Sequence, residues 1–159
     1  MTQLTPHFTL EELTATNVRG VNNVPPPVAR MRLKDVAENI LEPVRQHFGA
    51  PVIVHSGYRS PVVNAAVRGS KTSQHMQGEA VDFHVPGVDF FTVARWIAEN
   101  LDYDQLILEY CDPSGFGKGW VHCSYVGYKP RRRRLTVATN LRGATVYRDI
   151  TTNDIPVAA

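Results

Sequence analysis

The stretch SQHMQGEAVDF, Ser73 to Phe83, constrains this chain more than any other. The polar loop RGSKTSQHMQG runs through Gly78 into EAVDFHV, a segment rich in β-branched and aromatic residues that reads as a strand. A loop histidine, His75, and a strand aspartate, Asp82, are thereby tied seven residues apart. They are either two ligands of a metal or polar residues of a loop and a strand, and the remaining elements decide which is the better reading.

Before this stretch, TLEEL places Glu12 three residues after Thr9, a capping-box start for a short helix that the linker GVNNVPPP stops. From Val28 to His47 apolar residues recur at helical spacing after prolines suited to a first turn, and Pro43 should bend or divide that helix. PVIVHSGYR reads as a strand ending in a glycine turn, and PVVNAAV as a short helix begun by Pro61. Beyond the stretch, DFFTVARWIAENL is an amphipathic helix. DQLILEY, GWVHCSY and RRLTVAT are three strands, and a weakly patterned tail runs from Asn140. The expected fold is α+β, a single compact domain over residues 1–159 with a mainly antiparallel sheet and flanking helices.

Strand periodicity gives His75 its possible partners. Side chains at i and i+2 share a face, so Asp82 lies with Ala80 and His84, and His122 with Trp120 and Ser124. Taken singly, histidines in strands are more often packed or solvated than metal-bound. Together, a loop histidine over a strand aspartate and a strand histidine make a two-histidine, one-carboxylate set. That set suits a zinc which keeps a fourth position open, and such centres polarise carbonyls and activate water for hydrolysis. The helical two-histidine motif of the common zinc proteases is absent.

SGYRSPVVNAAVRGSKTSQHMQGEAVDF, followed further along by WVHCSY, resembles the D-alanyl-D-alanine carboxypeptidase-like zinc peptidases, which include bacterial cell-wall peptidases and phage endolysins. FTLEEL, NNVPPPV, LEPVRQHFGAPVIVHSGYR and YDQLILEY are similar to the short single-domain branch of that family. The likeness covers about residues 8–126 and leaves a basic strand and tail at 127–159. It implies the hedgehog/D-Ala-D-Ala peptidase-like fold with zinc at the sheet. On the motif S-x-H-x-x-G-x-A-x-D and the later W-x-H, it implies His75, Asp82 and His122 as the zinc ligands. Gly78 then lets the loop turn into the strand, Ala80 leaves space beside the metal, and His84 is a bystander. The arginine of SGYRS, Arg59, falls on the family's substrate-anchoring and carbonyl-stabilising position. A fixed guanidinium suits both roles. Ser73 and Gln74 belong to the same motif and are expected to support the ligands and touch substrate.

The catalytic base is where the chain departs from many relatives. They carry a glutamate or aspartate three residues before the last histidine, and here that residue is Gly119. Glu109 of DQLILEY is the best replacement. If DQLILEY and GWVHCSY form a hairpin, an odd pairing sum near 229 to 231 puts Glu109 beside or diagonal to His122 on one face. A one-residue slip would turn it away. Glu79 ranks second and Asp112 third.

The implied function is a zinc-dependent peptidase that cuts peptidoglycan stem peptides, of phage-endolysin type. It would be made in the host cytoplasm without a signal peptide, act as a monomer, and reach the wall when the membrane fails. The alternative, kept open by Gly119, is a non-catalytic zinc-containing binding module of the same fold. Cys111 and Cys123 fit no zinc module and are expected to be reduced thiols. A formal charge of +2 does not imply a nucleic-acid partner, and the apolar runs are too short for membrane insertion. KPRRRR, Lys129 to Arg134, reads as a solvated edge or as a patch that attracts anionic surfaces. It lacks the interleaved aromatics of a nucleic-acid site.

Overall fold

A computed structural model describes residues 1–158. A two-stranded ribbon, β1 (Gln3–Thr5) and β2 (Phe8–Thr9), leads into helix α1 (Leu10–Thr14), whose first turn is closed by the Thr9–Glu12 capping box. Helices α2 (Pro27–Val36) and α3 (Glu42–Phe48) are joined by a π-helical turn over Ala37–Leu41. Pro43 therefore does act on this helix. Its ring would strike a carbonyl one turn back and it has no N–H to give, and the wider turn just before it accommodates both defects without breaking the rod.

Strand β3 (Ile53–Ser56), helix α4 (Pro61–Ala66), strand β4 (Ala80–His84) and helix α5 (Phe90–Asn100) follow, then β5 (Gln105–Glu109), β6 (Trp120–Ser124), β7 (Arg134–Leu141) and β8 (Ala144–Asp149). The six-stranded sheet has the order β3-β4-β6-β5-β7-β8, and every neighbouring pair is antiparallel except β5 with β7. The α+β domain with a mostly antiparallel sheet is thus present, with one parallel pair.

Alternation divides the central strands into two faces. Val81, Phe83, Leu106, Leu108, Val121 and Cys123 join the core formed with Leu33, Val36, Ile40, Phe91 and Ile97 from the helices. The residues between them, Asp82, Ile107, Glu109, Trp120 and His122, face the other way. Packing one face against helices forces the polar alternates onto a common surface, and Asp82, Glu109 and His122 lie there.

Two elements depart from the sequence reading. The weakly patterned tail from Asn140 is nonetheless folded: β7 continues to Leu141, turns at Arg142–Gly143, and returns as β8. Both turn residues have positive φ, 52° and 82°, the hairpin geometry that matches strand twist. The loop before Gly78 also contains a 3-10 turn, Gln74–Gln77, which carries His75. Both cysteines are free, as expected, and burial pushes the Cys111 thiol up to about 12. No helix among the described residues is long and apolar enough to cross a membrane.

Candidate metal centre and its groove

Register builds the centre. Asp82 on β4 stands opposite His122 on β6, and Ser56 on β3 stands opposite Asp82 from the other side. The 3-10 turn lays His75 over this row. Gly78 ends the turn in the left-handed conformation at φ 73°, where a Cβ would come within 2.3 Å of the Ala29 carbonyl oxygen, so only glycine lets the loop enter β4 here.

His75, Asp82 and His122 are all buried, and their ligand atoms lie within 4.8 Å of one another. His122 Nδ1 is 2.8 Å from Asp82 Oδ1, and His75 Nε2 is 3.3 Å from Asp82 Oδ2. His75 Nδ1 lies 2.7 Å from the Gly57 carbonyl oxygen. A carbonyl only accepts, so Nδ1 carries the proton and Nε2 keeps its lone pair for a ligand. The His75–Asp82 spacing matches the roughly 3.4 Å edge of a tetrahedron whose bonds are about 2.0–2.1 Å, the zinc geometry for nitrogen and oxygen ligands, while the His122–Asp82 spacing is that of a hydrogen bond and would open slightly around an ion. The residues present therefore fit zinc. Burial works to raise the Asp82 pKa, but His75 and His122 outweigh it and hold the carboxylate below its ordinary range.

Arg59 donates from Nη2 to Asp82 Oδ2 at 3.0 Å and from Nε to Ser56 Oγ at 2.9 Å. Its turn is pinned by Asn23, which donates to the Thr14 and Tyr58 carbonyls and accepts from the Ser60 N–H. Nothing local in the sequence marks Asn23 for this task, because its partners are distant in the chain. His84 is not in the cluster: its Nδ1 faces His55 Nε2 at 2.7 Å.

The β5–β6 register pairs Glu109 with Trp120 and Ile107 with His122, a sum of 229, which sets Glu109 diagonal to His122 on the same face. Glu109 Oε1 is 3.4 Å from His122 Nδ1, and the side chain is 15% exposed. Burial pushes its pKa up to about 7; His122 pulls it down and the nearby Asp82 charge adds to the rise. Gly119 is explained by its backbone. At φ 100° a Cβ would lie 2.5 Å from Cys111 Cα and 2.8 Å from the Glu109 carbonyl oxygen. No acid of any kind fits there.

The lower-ranked bases are elsewhere. Glu79 is buried beneath the 3-10 turn, paired with Arg32 at 3.2 Å and accepting from the Tyr128 hydroxyl. Asp112 is engaged in the β5–β6 connection, where it accepts from the Ser114 N–H at 2.9 Å. Ser73 Oγ accepts from the His75 N–H, and Gln74 donates to Glu79 and Asp104, so both hold the turn that carries His75 while lining the groove beside it.

Two cavities meet at the centre. One, of about 360 Å³, has Val18, Tyr58, Val63 and Val67 among its walls. The other is a more polar groove of about 550 Å³ that runs from His75 and His122 over β5 and β7. Arg59, Val67 and Trp120 line both. The basic run borders this groove and is largely paired within the chain. Arg131 and Arg133 meet Asp102, Arg132 meets the buried Asp104 at 2.8 Å, and Arg134 meets Asp149 at 2.8 Å. Arg133 also donates to the Ala98 and Leu101 carbonyls at the end of α5. The run is a strap tying the β6–β7 connection beneath the start of β5, which differs from the freely solvated edge read from the sequence.

No curated protein matches the chain. The sequence model of the family described as Peptidase M15 matches residues 6–124, which contain His75, Asp82, His122, Arg59 and Glu109. The match covers most of the chain and all of the candidate centre, and the chain belongs to the peptidase M15 family of zinc D-Ala-D-Ala carboxypeptidase-like metallopeptidases.

Proposed function

We propose that the chain is a zinc-dependent peptidase of phage-endolysin type that hydrolyses the stem peptides of peptidoglycan. In this reading it is held as a monomer in the host cytoplasm until membrane failure admits it to the wall. The observation that carries the catalytic part is the placement of Glu109, a nearly buried carboxyl 3.4 Å from His122 and on the same face of the sheet. A carboxylate held beside the candidate ligands is placed to take a proton from water and to return it to the leaving group.

His75, Asp82 and His122 would hold zinc, which when bound supplies a Lewis acid toward the scissile carbonyl and toward water. Arg59 sits where the two cavities join and offers its fork to the carbonyl oxygen or to a terminal carboxylate of the peptide. Glu109 accepts the proton of the attacking water. As the water oxygen bonds to the carbonyl carbon and the C–N bond breaks, Glu109 returns that proton to the leaving nitrogen. The apolar cavity would accept the small D-alanyl or L-alanyl methyl side of the bond, and the polar groove the remainder of the stem. The non-catalytic alternative loses its support, since Gly119 reflects a backbone that admits no side chain and Glu109 occupies the face it leaves open.

Mass spectrometry of purified peptidoglycan digested with the zinc-loaded protein tests the reading. One cleavage site in the stem peptide, with a matching release of amino groups, is expected. Intact muropeptides after prolonged digestion would contradict it.

A further inference from the structure

The groove across β5 and β7 has a charge pattern that the metal centre does not require. Four arginines line it, Arg59, Arg68, Arg132 and Arg134, against a single carboxylate, Glu109. Arg59 is engaged by Asp82 and Arg132 by Asp104. Arg134 gives only its Nε to Asp149, and among the described residues no acceptor meets its terminal nitrogens. Arg68 is exposed on the wall contributed by the loop after α4. Between them, Gln105 and Thr136 add polar groups from β5 and β7, Gln105 directly opposite Arg134 in the parallel register. Arg132, Arg134 and Thr136 all lie beyond residue 124, where the family match ends. This end of the groove therefore combines residues outside the matched range with Arg68 and Gln105 from within it.

The sheet register measures its distance from the centre. Arg134 lies two strands across from His122 and two residues along, so roughly 10 Å by 7 Å, or about 12 Å between Cα atoms. An extended peptide advances about 3.3 Å per residue, and an arginine side chain reaches part of the way back. The anion it meets is then two to three residues from the bond at the metal.

We propose that this end of the groove binds a free carboxylate of the peptide two to three residues from the scissile bond, with Arg134 as the specificity-determining residue and Arg68 assisting. The inference rests on the peptidase reading above and deepens it: the substrate is an acidic peptide, selected over its amidated counterpart. A guanidinium with both terminal nitrogens open meets a carboxylate in a two-point fork, whereas an amide offers neither the charge nor two acceptors.

The test compares kcat/KM of the zinc-loaded wild type, Arg134→Gln and Arg68→Gln on a stem peptide with a free side-chain or α-carboxylate and on the same peptide amidated there. The wild type is expected to prefer the carboxylate form by about tenfold, carried in KM, the size of one good charge-assisted contact. Arg134→Gln should bring the ratio close to one, Arg134→Lys should restore part of it, and Arg68→Gln should reduce it less. Zinc content should be equal throughout. A wild type that treats both peptides alike, or an Arg134→Gln enzyme that keeps the full preference, overturns the inference and leaves the peptidase reading standing. If the wild type cuts neither peptide, calorimetric titration with the same pair decides: carboxylate preference lost in Arg134→Gln sustains the subsite while the peptidase reading falls, and no preference removes both. Should Arg134→Gln fail to fold, Arg68→Gln carries the comparison.

Discussion

Strands β4, β6 and β5 set Asp82, His122 and Glu109 on a buried, closely spaced surface, whereas β7 and β8, joined to the same sheet, run out into an exposed hairpin whose second strand is solvent-facing along its length. In the first region register fixes all three groups, a 2.8 Å contact joins Asp82 to His122, and Glu109 stands 3.4 Å from His122, so their positions follow from the backbone. In the second, ion pairs such as Arg134–Asp149 are half exposed and weakly constraining. Chemistry needs the first kind of surface and selection among substrates tolerates the second. The family match follows this division, ending at the last residue of β6.

Substitutions that strike the two regions should differ in kind. Asp82→Ala has the largest expected effect: it removes a proposed metal ligand and strips His75, His122 and Arg59 of their shared carboxylate. Zinc should fall from one per chain to none by elemental analysis, with peptidase activity at background. Full activity at unchanged zinc would remove Asp82 from the centre. Gly119→Ala should come next, costing roughly 2–5 kcal/mol in chemical denaturation through positive-φ strain and overlap with Cys111. A cost below about 1 kcal/mol, the scale of an ordinary surface change, would mean the backbone there yields. Arg59→Lys should retain zinc and lose about a hundredfold in kcat, the scale of losing one preorganised donor. Near-normal kinetics would return Arg59 to a purely structural contact with Asp82.

The contrast also explains what could be read in advance. Alternation in AVDFH, QLILE and WVHCS shows a core face and a polar face, and an odd pairing sum for the β5–β6 hairpin is enough to put Glu109 with His122. Strand β8 leaves no such trace, because a strand exposed on both faces has no apolar period; its remaining signal is the Arg-Gly turn at positive φ. The ribbon β1–β2 is too short to show a period. The Asn23 brace and the Arg132–Asp104–Gln74 chain under the His75 turn were hidden for another reason. Each joins residues far apart in sequence, and a hydrogen bond across the fold has no local signature. The same holds for the pairing of the arginine run, where each partner aspartate lies in a segment with nothing to mark it.

Smaller effects sharpen the comparison. In the metal-free protein the folded-state pKa of Glu109 is raised, so the fold favours the protonated acid. Its contribution is least unfavourable below the ordinary glutamate range, and stability is lost as pH rises toward about 7. Glu109→Gln should therefore raise the unfolding free energy of the metal-free protein above pH 7, by an amount on the order of 1–3 kcal/mol in chemical denaturation, and leave it little changed at pH 4. Equal effects at both pH values would place the carboxyl in water. In the hairpin, Val146→Ala should change stability by less than about 0.5 kcal/mol and leave zinc binding alone, as for other exposed positions.

The most direct measurement is the turnover of zinc-loaded Glu109→Gln on purified muropeptides, with zinc content and melting temperature determined on the same sample. The amide preserves shape and leaves His75, Asp82 and His122 untouched, but it cannot accept a proton. One zinc per chain, an intact fold and a loss of roughly a hundredfold to ten-thousandfold in kcat is the result expected of a displaced general base. Hydrolysis at close to the wild-type rate would show that the proton goes elsewhere, and the assignment of Glu109 would be wrong.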